Sequence, residues 1–491
     1  MTASEYRAET MSQTPARGGL DRYFSITDRG STLAREVRGG VVTFMTMAYI
    51  VVLNPFIIGT TPDVDGRVLG IPQVAAVTAL VAAVMTVLMG LVGRYPFALA
   101  TGLGINAFVA FGIASQMSWA DAMGLVVLEG LVITLLVLTG FRTAVLRAIP
   151  GELKAAIGAG IGLFLAFIGL VDAGFARRSD VGPVPVQLGY GGLLRGWPLL
   201  VFCLGLLLMA VLVAVRVRGA ILIGIVVTTV VAIAVEAAAA VGPAVTDEQG
   251  VVTTYGWQLN TPTVPDDVVR LPDLGLLGDF SLFGGFEQVA VVTALLLVFT
   301  LMLTDFFDTM GTVVAVGAEG GLLDENGELP GVGRVLLVDS LAAVAGGAAS
   351  ASSNTTYIES AAGVGDGART GLASVVTGGL FVVALFFTPL VEIVPFEAAA
   401  AALVVVGALM IAQLRLVDLT DFSIALPCFL TLVVMPFTFS IANGIGAGFV
   451  AWVVLRAAAG RAREIHPLLW LTSVLFVVYF AIDPVRTVLL G

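Results

Sequence analysis

Hydrophobic positions in this chain recur as long unbroken runs, without the two-residue alternation of barrel strands. Runs of spanning length are predicted near residues 39–59, 71–92, 120–140, 154–171, 197–215 and 219–241, with a short interrupted segment at 97–112. After a polar stretch they resume near 289–312, 332–347, 370–390, 396–413, 420–439 and 441–458, with a second short segment at 354–362 and a last run over 466–483. The pattern predicts an all-α polytopic membrane protein. It divides into a polar tail (1–38), a first repeat (39–241), an acidic loop (242–287) and a second repeat (288–491).

The two repeats share one irregularity. In each, small or polar residues break the third apolar segment. The first break reads Ala98-Leu-Ala-Thr-Gly-Leu-Gly-Ile-Asn-Ala107, and the second Gly346-Gly-Ala-Ala-Ser-Ala-Ser-Ser-Asn-Thr-Thr-Tyr-Ile-Glu359. Asn106 falls about 67 residues into its half and Glu359 about 71 into its own. Matched, glycine-interrupted segments mark the midplane site of many secondary transporters. Broken helices leave N–H groups free there to meet a polar solute in place of water.

Composition supports the membrane reading: 58% of the 491 residues are hydrophobic, 12% are charged, and mean hydropathy is +1.02. No soluble domain could cover that much apolar surface. Arg7, Arg17, Arg22, Arg29, Arg35 and Arg38 crowd the polar tail, which has no apolar core before a cleavage site, so no secretory signal peptide is expected. With Arg94, the Arg142/Arg147/Lys154 cluster and Arg216/Arg218 on the same side, the N-terminus is expected in the cytoplasm. The loop from Gly242 to Glu287, with seven acids and one Arg, is expected outside. Much of the net charge of −11 lies in loops and implies no nucleic-acid partner.

One His and two separated Cys (Cys203, Cys428) supply no ordinary zinc or haem site, and nucleophile–base clusters are not evident, so an enzyme is not expected. No phosphate-binding loop is present, which leaves an ion gradient rather than ATP to drive transport. No cofactor is expected beyond a coupling ion, read as a proton.

The chemistry concentrates in Thr304-Asp-Phe-Phe-Asp-Thr-Met-Gly-Thr312. Asp305 and Asp308 are three apart, so a helix places them on one face. A charged side chain inside a bilayer costs about 2.5–3.5 kcal/mol on insertion scales, so such acids mark ion or substrate paths. Apolar surroundings favour the neutral carboxyl, which suits these acids to carrying a proton. Glu359 can accept two N–H bonds from a planar heterocycle, and Asn106 offers both a donor and acceptors. Thr355, in the polar cluster before Glu359, is a further candidate contact. Glu129 and Asp339 read as acids that stabilise helix contacts, and Glu236 as reaching an interface. Phe108, Phe306 and Phe307 could stack on a flat ring, and none is assigned.

The 304–312 motif, Ser352-Ser-Asn-Thr-Thr-Tyr-Ile-Glu-Ser-Ala-Ala-Gly-Val364, Thr46-Met-Ala-Tyr-Ile50 with Asn54-Pro55, and Gly104-Ile-Asn106 resemble the AzgA-like branch of the nucleobase–cation symporter-2 family. The resemblance runs from about Tyr23 to the C-terminus. It implies a seven-plus-seven inverted repeat in which a core (spans 1–4 and 8–11) moves against a gate (5–7 and 12–14). It also implies import of hypoxanthine, guanine or adenine with a proton across the cytoplasmic membrane. The family's site residues correspond to Asp305, Asp308, Glu359, Gly104 and Asn106. Glu359 and Asp305 would hydrogen-bond ring N–H groups, and Asn106 and the backbone near Gly104 would meet exocyclic groups. Asp305, Asp308 and Glu359 would handle the proton, Asp305 first among them; some relatives carry a His on span 8, and this chain has none there. Carriers of uracil, xanthine or an inorganic anion on the same architecture, and a passive channel, are the alternatives. A homodimer is among the assemblies open to it.

Overall fold

The computed structural model describes residues 18–139, 149–178, 185–246, 252–265, 267–325 and 329–490. Arg7, Arg17, Arg142 and Arg147 lie outside the described residues, as does the side chain of Phe307.

After a short helix α1 (Gly19–Phe24), the first span comprises α2 (Leu33–Met47) and α3 (Ile50–Ile58). It starts at Leu33, not at 39, because its first turns are held by polar contacts that hydropathy cannot register. Thr32 caps the helix, its hydroxyl accepting from the Arg35 N–H at 3.3 Å. The buried Glu36 carboxylate accepts the N–H groups of Arg369 and Thr370 at 2.8 and 3.2 Å. The first repeat continues with α4 (Ile71–Leu88, extended by a π-turn to Gly93), β1 (Leu99–Thr101), α5 (Leu103–Ala107, extended by a π-turn to Ile113), α6 (Trp119–Leu138) and α7 (Gly151–Asp172). A hairpin, β2 (Ala176–Arg178) with β3 (Val186–Leu188), precedes α8 (Trp197–Ala214) and α9 (Ala220–Ala239).

The connecting loop carries a second hairpin, β4 (Val245–Thr246) with β5 (Val252–Thr254), and a short α10 (Gly285–Gln288). Then come α11 (Val291–Glu319), α12 (Val332–Ala348), β6 (Asn354–Thr356), α13 (Ser360–Gly365), α14 (Gly371–Ala384), α15 (Pro389–Glu392), α16 (Phe396–Ile411), α17 (Phe422–Thr438), α18 (Ile441–Ala458) and α19 (Pro467–Leu490). Among the described residues nine helices are long and apolar enough to cross a membrane. The outward side chains are apolar too, as at Leu135, Leu207 and Phe437.

Two bundles form. In one, α2, α4 and α14 pack together, and α6 packs on α11 and α12. In the other, α7 packs on α16 and α17, α8 on α9 and α16, and α17 on α18. These are the core and gate sets of spans. At the centre of the second, Gly162 and Gly407 meet backbone to backbone: a Cβ on either would lie 2.6 or 2.3 Å from the other's carbonyl oxygen. Helix α19 is one segment beyond the seven-plus-seven pattern and packs on α18 and α11. His466 starts it, its Nδ1 accepting the Leu468 N–H at 3.2 Å. The bundles touch at an ion cluster where Asp366, after α13, meets Arg38 of α2 and, at 2.7 Å, Arg218 of the α8–α9 turn.

The helical architecture holds short strands at its centre that the apolar runs do not reveal. The two broken segments are strands where they are broken, and they pair with each other antiparallel, Leu99 with Thr356, Ala100 with Thr355 and Thr101 with Asn354. Inside a bilayer an isolated ribbon must have its edge groups satisfied by protein. Thr86 does this for β1, its Oγ1 accepting the Leu99 N–H at 2.9 Å and donating to the Leu99 carbonyl at 3.0 Å. Asp339 does it for β6, accepting the Thr356 N–H and hydroxyl at 2.9 and 2.8 Å, and the Thr309 hydroxyl at 2.7 Å. Glu236, near the end of α9, accepts the Trp257 indole N–H at 2.8 Å and so pins the connecting loop.

Replacing Asp339 by Ala removes a buried acceptor of three hydrogen bonds. The expected loss is at least about 3 kcal/mol of stability, seen as a lowered midpoint in a thermal melt of the detergent-purified protein. An unchanged midpoint would show that β6 is held without it.

Candidate functional site

A half-helix leaves each end of the ribbon. Helix α5 leaves β1 at Gly102, and α13 leaves β6 at Glu359. Chain reversal after β6 is fixed by the Tyr357 N–H on the Ala98 carbonyl at 2.9 Å, the Tyr357 hydroxyl on the Thr101 carbonyl at 2.6 Å, and the Ser360 hydroxyl accepting the Ala98 N–H at 3.0 Å. Glu359 therefore stands at the head of its half-helix. Its carboxylate accepts the Tyr49 hydroxyl at 2.5 Å, and its carbonyl the Thr46 hydroxyl at 3.4 Å. It is half-buried, next to the exposed Ile358.

Asp305 and Asp308 are not at a helix end, since α11 runs on to Glu319. Their surroundings differ sharply. Asp308 is exposed and close enough to act electrostatically on Glu359 and Tyr49. Asp305 is wholly enclosed (0% exposed), beside Glu129 of α6 and Thr355 of β6, with neither carboxylate oxygen in a well-formed hydrogen bond. A three-residue step along one helix thus separates an open acid from a sealed one.

Thr355 is also buried, its hydroxyl 2.7 Å from that of Thr309, which donates to Asp339. Asn106 is buried on α5; its amide N–H donates to the Thr101 hydroxyl at 3.0 Å, and its Oδ1 has no partner. Gly104 faces the other bundle: a Cβ there would lie 2.3 Å from Cγ2 of Ile161 on α7. Its smallness lets the half-helix touch the gate. The candidates thus gather around one ribbon, with Asp308 and Glu359 on an open side and Asp305, Asn106 and Thr355 enclosed. Phe108 and Phe306 are buried. Among the described residues no group of His, Cys, Asp and Glu is arranged to hold a metal ion.

Two residues at this centre escaped the sequence reading. Glu129 read as a helix-contact acid, yet it abuts Asp305. A hint was present in Gly130 beside it, where a Cβ would meet the Val344 N–H nitrogen at 2.6 Å, so α6 lies unusually close to α12. Tyr49 stood inside a quoted motif without a role.

A family model described as "Permease family" matches residues 34–447. The chain belongs to this family, the nucleobase–cation symporter-2 permeases. The permease is 38% identical over 466 residues to the guanine/hypoxanthine permease PbuG of Bacillus subtilis, covering 94% of this chain and 99% of that protein. It is 35% identical over 468 residues to the adenine permease AdeP of Escherichia coli, covering 95% and 96%. Among solved structures, the transmembrane domain of a cyanobacterium bicarbonate transporter, BicA, superposes with a TM-score of 0.58 at 15% identity, covering 85% of this chain and 97% of that one. Murine Slc26a9, an anion transporter in its inward-facing state, gives 0.57 at 12% identity, covering 93% and 75%. The permease thus has the seven-plus-seven inverted-repeat fold of these transporters.

Gly104→Ala in the permease is expected to cut uptake about tenfold or more by overpacking against Ile161, a clash of about 1–3 kcal/mol. The second change Ile161→Ala should restore much of it. Failure of Ile161→Ala to rescue would place the defect elsewhere than at this contact.

Proposed function

We propose that the permease is a secondary active transporter that imports purine nucleobases, hypoxanthine, guanine or adenine, by proton symport. It acts in the cell membrane with its N-terminus in the cytoplasm. The observation that carries this reading is the Glu359 carboxylate, held by Tyr49 at 2.5 Å at the head of a half-helix and facing the open Asp308. A fixed carboxylate there accepts N–H groups from the edge of a purine. Asn106 and the backbone at Gly104 meet the other edge once the half-helices shift. Asp305, sealed from the opening, serves the proton rather than the base.

Relatives named for guanine, hypoxanthine and adenine, aligned over nearly the full chain, support the purine class. The folded neighbours are named for bicarbonate and anions. Four acids around this ribbon, Glu129, Asp305, Asp308 and Glu359, disfavour an anionic substrate and favour a neutral ring with a cation. A proton entering with the base gains about 2.3 kcal/mol per 100 mV of membrane potential, enough for useful accumulation. Arg94, Arg216 and Arg218 between spans, and Arg334 in the first turn of α12, support the orientation.

Uptake of labelled hypoxanthine into a transport-deficient bacterial host, with unlabelled guanine, adenine, xanthine and uracil as competitors, tests this reading. The expected result is purine-selective accumulation abolished by a protonophore. Glu359→Gln should cost about 1–3 kcal/mol in affinity, roughly fivefold to 150-fold in KM. Accumulation of uracil in preference to purines, or accumulation indifferent to the protonophore, would contradict it.

A further inference from the structure

Behind the open side of the site lies a pair of buried acids whose carboxylate oxygens are short of hydrogen-bond partners. Glu129 of α6 and Asp305 of α11 are both 0% exposed and lie against each other. Glu129 Oε2 accepts the Ser353 hydroxyl at 3.3 Å, while Glu129 Oε1 and both oxygens of Asp305 have no hydrogen-bond partner. Neither acid joins any ion pair among the described residues. Two touching carboxyl groups with three unpartnered oxygens have one economical solution: a single proton between them, which gives each acid a bond and leaves one net charge.

The groups facing the pair come from α12, from β6 and from the residue just before β6. Asp339 of α12 acts on both acids; it accepts from Thr309 and Thr356 and is held in place as a fixed acceptor. Ser353 faces Glu129, and Thr355 of β6 flanks Asp305. Thr355 ties the pair to the ribbon that carries Glu359, and Asp308 lies three residues along α11 on the open side. A change in the half-helix as the base binds is thereby felt at the acids.

We propose that Glu129 and Asp305 share the transported proton, which makes Glu129 a proton-coupling residue of the permease. This rests on the symport reading above. The proton leaves the pair as the core opens inward, and the resulting dianion, unstable in the sealed site, takes up another before the empty carrier resets. Glu129 does not touch the base; it sets how strongly base binding and proton binding favour each other.

The test uses the full-length protein in proteoliposomes with a pH-sensitive dye inside and hypoxanthine as the added solute. Wild type should admit protons when hypoxanthine is added. Glu129→Gln should cut this proton entry about tenfold or more, and flatten the pH dependence of uptake, while hypoxanthine affinity changes by less than about threefold. A purely packing role would move affinity and proton entry together or neither. Proton entry in Glu129→Gln equal to wild type would overturn the pair while leaving the symport reading standing. Absence of proton entry in wild type would overturn both. Should Glu129→Gln fail to bind hypoxanthine, infrared difference spectra of the wild-type protein decide. A protonated-carboxyl band that is lost in Asp305→Asn supports the pair, and an identical band in that variant overturns it.

Discussion

The structure depends on one constraint: a peptide group inside a bilayer must find its hydrogen bond within the protein. Breaking two spans at midmembrane exposes several such groups at once. The chain answers by pairing the two breaks with each other, so that β1 from the first repeat and β6 from the second form a ribbon. Thr86 and Asp339 then close its two outer edges. The ribbon lets the chain interrupt two spans without leaving backbone unsatisfied in lipid. It also fixes where charge can go, since Asp339, which holds β6, places a permanent acceptor behind the site.

Around that scaffold the acids divide by access. Asp308 and Glu359 face an opening, with Tyr49 orienting the second of them. Asp305 and Glu129 are sealed beyond the same helix. Any movement of α11 or of the ribbon is shared by both acids, which is what the proposed coupling of base to proton requires. Gly104, pressed against Ile161, brings the gate bundle into contact with the half-helix.

Much of this was legible in the residues. Apolar runs located the spans because lipid exposure leaves a plain record in composition. The two interrupted segments were visible because Gly, Ser, Asn and Thr have no reason to cluster twice at matched depth in an apolar span. Other features left no such record. Helix α2 begins before its hydropathy does, since Glu36 is buried by contacts from residues more than three hundred positions away. Strand character at Leu99–Thr101 and Asn354–Thr356 was hidden, because three-residue strands have no period of their own and exist only through each other. The partner of Glu129 was hidden for a related reason: an acid in an apolar helix reads as a local contact until the fold shows which acid it meets. The divergence of Asp305 from Asp308 was likewise invisible, since helical spacing gives a shared face and not the wall that splits it.

The most direct measurement of the central claim is a structure of the permease in lipid nanodiscs with hypoxanthine bound. The account predicts the base between the two half-helix starts, with ring nitrogens within about 3 Å of the Glu359 carboxylate. Asp305 and Glu129 should remain in contact behind it, with no base atom between them. A base seated away from the ribbon, or one that parts Asp305 from Glu129 by lying between them, would contradict it.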